Sequence, residues 1–340
     1  MTSKVAPSML HAVRRNYFIV LVALGAFLPH QAPAQDLLRI GAFTRDAAQV
    51  VAEQKGFLRA ESIKVELGLV TNSVDLMRGL VGGKYDLVQT NADNVIAWAD
   101  GQGEDPGRND FVIVIGGSRG LRQSLVGGPG IRNIADLEGK AMAVDDPRTG
   151  YAPVLAFILK RHGLILNRDY TFAPLGNTAA RIEAMASGQA AASMMNIPDD
   201  EIAKRGFKKL AQTEDYLPAY ARGVGAARRV WAERNEALLV RYIKAMIRAT
   251  NWLRDPKNET EALQLLLAAS QNSSRRARQV YDEALDPRFG LIPENKIELE
   301  GIRAIIRLRE AMGAMKPPLP APEKYIDERF YLKAVASPSR

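Results

Sequence analysis

The residues of this chain that could act chemically follow the ends of short apolar segments. One example is DDPRTG at residues 145–150, which comes after an apolar segment and before a segment with helical periodicity. A strand that enters a helix through a glycine-containing turn presents free backbone N–H groups at the start of the helix. With Arg148 and Thr149, these groups could hold a small polar or anionic molecule by reversible hydrogen bonds. A solvated connection that binds nothing is the alternative for any single turn of this kind.

The chain is poor in the residues on which most hydrolytic and metal-dependent catalysis depends. It has no cysteine and three histidines, of which His11 and His30 lie in an N-terminal segment predicted to be removed. His162 alone cannot form a multi-histidine metal site, and its place beside Gly163 is typical of a helix C-terminus. We therefore expect no enzyme activity, no metal site and no cofactor.

The N-terminus has the pattern of a leader peptide. Lys4, Arg14 and Arg15 precede an apolar run at residues 17–28, and residues 32–34 (APA) match a small-x-small cleavage site. The run is too short to cross a bilayer. Residues 1–34 are thus predicted to be a signal peptide, by either the general or the twin-arginine route.

Length and charge limit the classes of protein to consider. A chain of 340 residues with 47% hydrophobic residues is long enough for one large or two ordinary domains. Its net charge of +8 is spread without a dense basic tract interleaved with aromatic residues, so no nucleic-acid partner is expected.

An internal repeat organises the sequence. LVGGKYDLVQTN at residues 80–91 aligns with MASGQAAASMMN at residues 185–196, at an offset of 105 positions. In both halves a strand, a polar turn and a helix precede a second strand, turn and helix. This alternation predicts an α/β fold of two duplicated βαβα lobes with mostly parallel sheets. Parallel sheets bind ligands at the carboxyl ends of their strands, so two facing lobes would place these turns on one cleft.

The rest of the chain predicts how the lobes are connected. Residues 35–121 should begin lobe one, residues 122–221 should form lobe two, and residues 222–340 should complete lobe one. Crossings between the lobes are expected near residues 120–124 and 221–226. A helical C-terminal extension, predicted from apolar periodicity at about 234–254, 259–270, 275–286, 294–313 and 323–335, should pack on lobe one.

Four segments together resemble bacterial ABC-transporter substrate-binding proteins. They are ADLEGKAMAVDDPRTGYAPVLAFILKRHGL, GGKYDLVQTNADNVIAW, AAASMMNIPDDEIAKRGFKKLA and ARRVWAERNEALLVRYIKAMIRATNWLRD. The similar branch includes taurine and aliphatic-sulfonate, nitrate and thiamine-precursor-pyrimidine binding proteins. The resemblance covers most of residues 37–270. It implies the two-lobed periplasmic-binding-protein fold of type II, a periplasmic location, and a monomer that delivers its ligand to a membrane permease with its ATPase.

The turns at the predicted strand ends provide the candidate ligand-binding residues. In lobe one these are Phe43, Thr44, Arg45, Asn72, Ser73, Asn91 and Asp93, with Ser118 and Arg119 near the first crossing. In lobe two they are Arg148, Thr149, Gly150, Asn177, Thr178, Asn196 and Asp199. Short polar residues at helix starts are also good N-caps, so a structural role is the alternative for several of them.

Two ligand classes remain open at this point. Arg45 and Arg148 occupy comparable turns and favour a sulfonate, carboxylate or nitrate-like anion. Asp93, Asp199 and nearby aromatic side chains favour a heterocycle with N–H groups. The leading interpretation is a solute-binding component of an ABC uptake system that closes on its ligand by a hinge motion. The alternatives are a pyrimidine-binding protein or enzyme on the same scaffold, and a periplasmic sensor or adaptor domain.

Overall fold

The computed structural model describes residues 1–3, 35–104, 107 and 109–336, and the predicted signal peptide lies almost entirely outside these residues. None of the helices in the described ranges is long and apolar enough to cross a membrane. The described residues contain ten strands, in the order β1 (Asp36–Ala42), β2 (Ile63–Leu69), β3 (Leu87–Thr90), β4 (Phe111–Arg119), β5 (Ser124–Gly127), β6 (Ala141–Val144), β7 (Thr171–Pro174), β8 (Ala192–Met195), β9 (Lys208–Gln212) and β10 (Ala221–Arg228).

Helices alternate with the strands in the first two thirds of the described chain and dominate the last third. They are α1 (Ala47–Gln54), α2 (Phe57–Ala60), α3 (Ser73–Val81), α4 (Ala92–Ala99), α5 (Ala152–Arg161), α6 (Thr178–Ala186), α7 (Asp199–Lys204), α8 (Arg229–Arg234), α9 (Glu236–Arg254), α10 (Glu259–Ala269), α11 (Ser274–Leu285), α12 (Leu299–Ala311) and α13 (Arg329–Ala336).

The strands form two five-stranded sheets with the same arrangement. The first sheet has the order β2-β1-β3-β10-β4 and the second has the order β7-β6-β8-β5-β9. In each, three parallel strands are followed by one antiparallel strand, β10 in the first sheet and β5 in the second. The predicted α/β fold with two duplicated units is confirmed, and it places the carboxyl ends of corresponding strands in equivalent positions.

Two connections join the sheets, and one of them differs from the expectation. The first is at residues 120–123, as predicted, between β4 and β5. The second is at residues 213–220, because residues 221–226 are part of β10 and pair with both β3 and β4. The two connections lie side by side: the Thr213 N–H donates to the carbonyl of Gln123 at 3.0 Å, and the Gly120 N–H donates to the carbonyl of Tyr220 at 2.8 Å.

β4 begins with the apolar residues FVIVI at 111–115 and continues through Gly116 and Gly117 to Arg119. These two glycines allow another segment to pack closely against β4, and they do not end the strand. A Cβ on Gly116 would lie 2.1 Å from the carbonyl oxygen of Lys296. Gly116 therefore cannot carry a side chain, because the segment that precedes α12 crosses the first sheet at this point.

The C-terminal helices pack mainly on the first sheet, with one exception. On α9, Leu239, Tyr242, Ile243 and Met246 are buried on one stripe that faces the core, which is the pattern of an amphipathic helix. α12 contacts α4 and β10 beside the first sheet, but it also contacts α5 beside the second. The C-terminal helices therefore contact elements of both sheets, not only of the first.

Candidate functional site

A cavity of about 760 Å³ is lined by the carboxyl ends of strands from both sheets. β1, β2 and β3 contribute the residues that follow them in the first sheet, and β6 and β7 do so in the second, where Met194 of β8 also lines the cavity. α9 and α11 add an apolar wall that includes Tyr242, Met246 and Val280. The cavity occupies the place that the repeat predicts for a cleft between parallel sheets.

Nine of the residues proposed from the sequence line this cavity: Phe43, Thr44, Arg45, Ser73, Asn91, Ser118, Gly150, Asn177 and Thr178. Arg45 is exposed, and its Nη1 lies 3.4 Å from Glu53 Oε2. Asn177 caps α6, since its Oδ1 accepts the Ala180 N–H at 3.0 Å. The turns of the two repeats therefore do meet at one cavity, which is the arrangement that ligand capture needs.

Arg181 lines the cavity from the second sheet and is the most unusual group in it. Its residue exposure is 6%, and it forms no ion pair within the described chain. Its guanidinium donates to Ser193 Oγ at 3.2 Å, to the Met194 carbonyl at 3.0 Å and to Thr178 Oγ1 at 3.0 Å. Burial lowers the pKa of Arg181 from its usual range. The charge of the Asp145 carboxylate acts against this lowering, although Asp145 forms neither an ion pair nor a hydrogen bond with Arg181. A buried guanidinium whose hydrogen bonds go only to neutral oxygens is a positive site that an anion would stabilise.

Arg222 lines the cavity from the first sheet. Its Nε donates to Ser118 Oγ at 3.2 Å and its Nη2 donates to the Phe289 carbonyl at 2.8 Å. Nη1 has no hydrogen-bond acceptor among the described residues, and the side chain forms no ion pair with them. The orienting bonds leave one edge of the planar guanidinium open, as recognition of a carboxylate or sulfonate requires.

An acidic group from the second sheet also reaches the cavity. Asp145 follows β6, and its Oδ2 accepts the Ser73 hydroxyl at 2.7 Å and the Ser73 N–H at 3.2 Å. Ser73 is the first residue of α3, which belongs to the first sheet's repeat. Burial raises the pKa of Asp145, and the hydrogen bonds from Ser73 act against this.

Arg148 and Thr149 lie outside the cavity, although the turn that carries them adjoins it. The guanidinium of Arg148 donates to the carbonyls of Gly103 and Glu104, at 3.0 Å each, and borders a separate cavity of about 270 Å³. Thr149 is buried, and its hydroxyl donates to Asp146 Oδ2 at 2.8 Å instead of capping α5. Only Gly150 of the three proposed residues in this turn faces the cavity.

Asp93 is also outside the cavity and forms a buried ion pair. Its Oδ1 lies 2.6 Å from Nη1 of Arg309 on α12, and the two side chains are 0% and 2% exposed. Burial raises the pKa of Asp93, whereas Arg309 and the Gly150 N–H lower it. Asp93 therefore connects α4 to α12 and to the turn after β6. This structural role explains why an acidic residue occupies the position.

The remaining proposed residues have contacts elsewhere. Asn72 caps α3 by accepting the Asp75 N–H at 2.8 Å. Arg119 pairs with Glu298, Asp199 pairs with Lys209, and Asn196 is exposed. None of these four lines the cavity.

The lining residues that were not proposed from the sequence include three charged ones, Asp145, Arg181 and Arg222. The sequence did contain a signal for Arg181. The equivalent position in the first repeat, 105 residues earlier, is Leu76, which is fully buried. A charge at a position that is apolar in the other repeat indicates a function beyond packing. Arg222 lies among small residues of β10, and only the pairing of that strand reveals where it points.

The cavity and its surroundings show no arrangement for metal binding. Within the part of the chain that the structure describes, no three histidine, aspartate or glutamate side chains lie close enough together to hold an ion.

The chain belongs to the NMT1-like family, whose match covers residues 31–267. No curated protein sequence matches it significantly. Among solved structures, it is similar to the alkanesulfonate-binding protein SsuA from Xanthomonas axonopodis pv. citri bound to MOPS (TM-score 0.64, 21% identity, covering 86% of this chain and 98% of the other). It is also similar to the periplasmic nitrate-binding protein NrtA from Synechocystis PCC 6803 (TM-score 0.69, 13% identity, 89% of each chain).

A third similar structure is the ligand-binding component of an ABC-type import system from Staphylococcus aureus with zinc bound, at a TM-score of 0.67, 15% identity and coverage of 89% of this chain and all of the other. At these identities the likeness establishes the fold. The resemblance to ABC-transporter binding proteins that the sequence segments predicted is confirmed. The three structures compared are described as binding proteins or ligand-binding components.

Proposed function

We propose that this protein is the periplasmic solute-binding component of an ABC uptake system, and that it captures a small organic anion without converting it. The observation that supports an anionic ligand is Arg181, a nearly buried guanidinium in the cavity whose hydrogen bonds go only to neutral oxygens. Arg222 faces the same cavity from the first sheet. A sulfonate or carboxylate would supply negative charge beside Arg181 and acceptor oxygens at the open edge of Arg222.

Capture would proceed by closure of two lobes, each built around one sheet. The connections at residues 120–123 and 213–220 are short and hydrogen-bonded to each other, so they can serve as a hinge between more rigid bodies. Ligand bound between the strand ends would stabilise the closed form, which then presents one shape to a membrane permease.

The test is binding of defined anions by the mature chain, from Gln35 onward. Methanesulfonate, taurine, nitrate and benzoate should be screened by thermal shift and then by calorimetry. A ligand at 100 times its Kd stabilises the protein by about 2.7 kcal/mol, which is readily detected. Arg222→Gln should weaken a positive probe at least about tenfold, since it removes a charge-assisted contact.

The matched control is Arg205→Gln, an exposed arginine at the C-cap of α7 that pairs with Glu201. Equal affinity of Arg222→Gln and the control would contradict the assignment of the anion to the cavity. No binding by any anion would contradict the ligand class.

A heterocycle is the second candidate because the aromatic side chains of Phe43 and Tyr151 line the same cavity as the Asp145 carboxylate. Hydroxymethylpyrimidine belongs in the same screen for this reason. Binding of this compound alone, insensitive to Arg222→Gln, would favour the second candidate.

Export can be tested separately from binding. The full chain, expressed in a Gram-negative host, should be recovered from the periplasm with Gln35 as its first residue. N-terminal sequencing of the periplasmic fraction checks this, and an unprocessed chain in the cytoplasm would contradict the proposed location.

A further inference from the structure

The described residues that line the cavity include four arginines, and acidic residues interact with three of them. The interacting pairs are Arg45 with Glu53, Arg181 with Asp145 and Arg222 with Asp46. The fourth arginine is Arg276 of α11, whose side chain forms neither an ion pair nor a hydrogen bond with the described residues. Arg276 is therefore the cavity-lining cation whose charge is available to a ligand.

The charge of Arg276 does not stabilise the helix that carries it. Arg276 lies in the first turn of α11, where there is no acidic residue, and its backbone N–H donates to the capping Ser273 Oγ at 3.3 Å. The helix dipole disfavours a cation at this end, and the adjacent Arg275 adds a like charge. A role within α11 therefore does not explain the guanidinium, whereas its place on the cavity wall does.

One face of α11 continues the cavity wall from Arg276. Val280 and Ala284 line the cavity four and eight residues later, which places them on the same side of the helix. Glu283 also lines the cavity, and Gln279 Nε2 donates to its Oε1 at 2.9 Å. Seven residues of helix, about 10 Å, separate Glu283 from Arg276, so this acid does not pair with Arg276.

Arg222 and Arg276 lie at opposite ends of α11. Arg222 donates to the carbonyl of Phe289, four residues after the helix ends at Leu285. Arg276 lies nine residues before Leu285, and nine residues of helix rise by about 14 Å. The long side chain of Arg276 shortens the gap, but a ligand that contacts both arginines must still be longer than methanesulfonate. The cavity of about 760 Å³ has room for such a ligand, since pockets of about 300–1,000 Å³ enclose drug-sized molecules.

We propose that Arg276 determines specificity by binding a second acidic group, so that the preferred ligand is an organic anion with an apolar body and an acidic group at each end. The apolar body would lie against Val280 and the neighbouring wall from α9. This inference rests on the proposed anion-binding function, because the first acidic group is the one assigned to Arg222 and Arg181. The match to the family ends at residue 267, so α11 lies outside the part of the chain that the family match describes.

Calorimetry of the mature chain with benzenesulfonate and 4-sulfobenzoate tests the proposal, because these probes differ by one carboxylate at the far end of the ring. Wild type should bind 4-sulfobenzoate more tightly by about three- to tenfold, the range between an exposed ion pair and a charge-assisted hydrogen bond. Arg276→Gln should bind the two probes equally. Its affinity for benzenesulfonate should equal that of wild type, which also shows that the variant is folded.

The matched control is Arg278→Gln, which removes an exposed arginine from the same helix. Arg278 pairs with Glu259 and does not line the cavity, so this variant should keep the wild-type preference for 4-sulfobenzoate.

Equal affinity of wild type for the two probes, or a preference that persists in Arg276→Gln, would overturn the role of Arg276 while the anion-binding function stands. Loss of the preference in Arg278→Gln would also overturn it, because the effect would then come from the overall charge of α11. If methanesulfonate binds and neither aromatic probe does, the longer ligand alone is overturned. If none of the three binds, the anion-binding function fails and the role of Arg276 is overturned with it.

Discussion

Replacing Arg309 by methionine should cost the protein a large part of its stability. The guanidinium and the Asp93 carboxylate are both almost fully buried, 2.6 Å apart. Gln102 Oε1 accepts two further bonds from Arg309, at 3.0 Å from Nε and 2.5 Å from Nη2. Methionine fills similar space but leaves Asp93 as an uncompensated buried charge. Removing one partner of such a pair lowers the free energy of unfolding by about 3–5 kcal/mol.

A second substitution separates the charge from the packing. In Arg309→Met/Asp93→Asn no charge is left uncompensated, so the double variant should recover about 1–3 kcal/mol relative to Arg309→Met. Burial already raises the pKa of Asp93, so the deficit of Arg309→Met should also shrink as the pH is lowered and the carboxyl becomes neutral.

Urea denaturation of the mature chain at pH 7, with the slope checked for each variant, measures these differences. The matched control on the same helix is Arg307→Met, whose side chain is 57% exposed and pairs with the exposed Glu300. It should lose no more than about 1 kcal/mol. The reasoning is refuted if Arg309→Met costs less than about 1 kcal/mol, or if the double variant is no more stable than the single one.

Three further predictions concern other parts of the fold. Gly116→Ala should lose about 1–3 kcal/mol, because its Cβ would lie 2.1 Å from the carbonyl oxygen of Lys296; a melting temperature equal to wild type would contradict this. Hydrogen bonds from Arg329 hold the pKa of Asp327 below its usual value, so Asp327 stabilises the fold above the unfolded pKa of about 3.9, and this contribution is lost as the pH falls through the lowered value. Asp327→Asn should therefore be less stable than wild type in urea at pH 7 but not at pH 2, and a deficit that persists undiminished in acid would exclude this cause. Thr213→Val removes a buried hydroxyl that bonds to the first connection, and should raise amide hydrogen exchange at residues 120–123; exchange unchanged from wild type would show that the hydroxyl does not tie the two connections together.

The repeat allowed much of the fold to be predicted from the sequence. An element order found twice at a fixed offset is evidence about topology, and the structure has two sheets of matching order. The continuation of β4 through its glycines was not predictable in the same way. Local preference favours an end at Gly116, but pairing with β10 and the close approach of Lys296 depend on contacts more than a hundred residues away.

The candidate site was predicted at the level of turns but not of individual side chains. A strand end fixes where a turn lies, so Ser73, Gly150 and Thr178 could be assigned to one cleft. It does not fix which way a long side chain points. Arg148 extends to backbone carbonyls outside the cavity, while Arg181, one turn into a helix, points back toward the cavity.

The place of β10 has a consequence for how the protein is made. It lies between β3 and β4 in the first sheet, although it is synthesised after every strand of the second sheet. During translation the strands β1 to β4 therefore emerge with a gap in the middle of their sheet. All five strands of the second sheet are complete by residue 212, about nine residues before β10 begins. The half nearer the N-terminus must then be the last to finish folding, and its unpaired strand edges remain available to chaperones until residue 228 has been added.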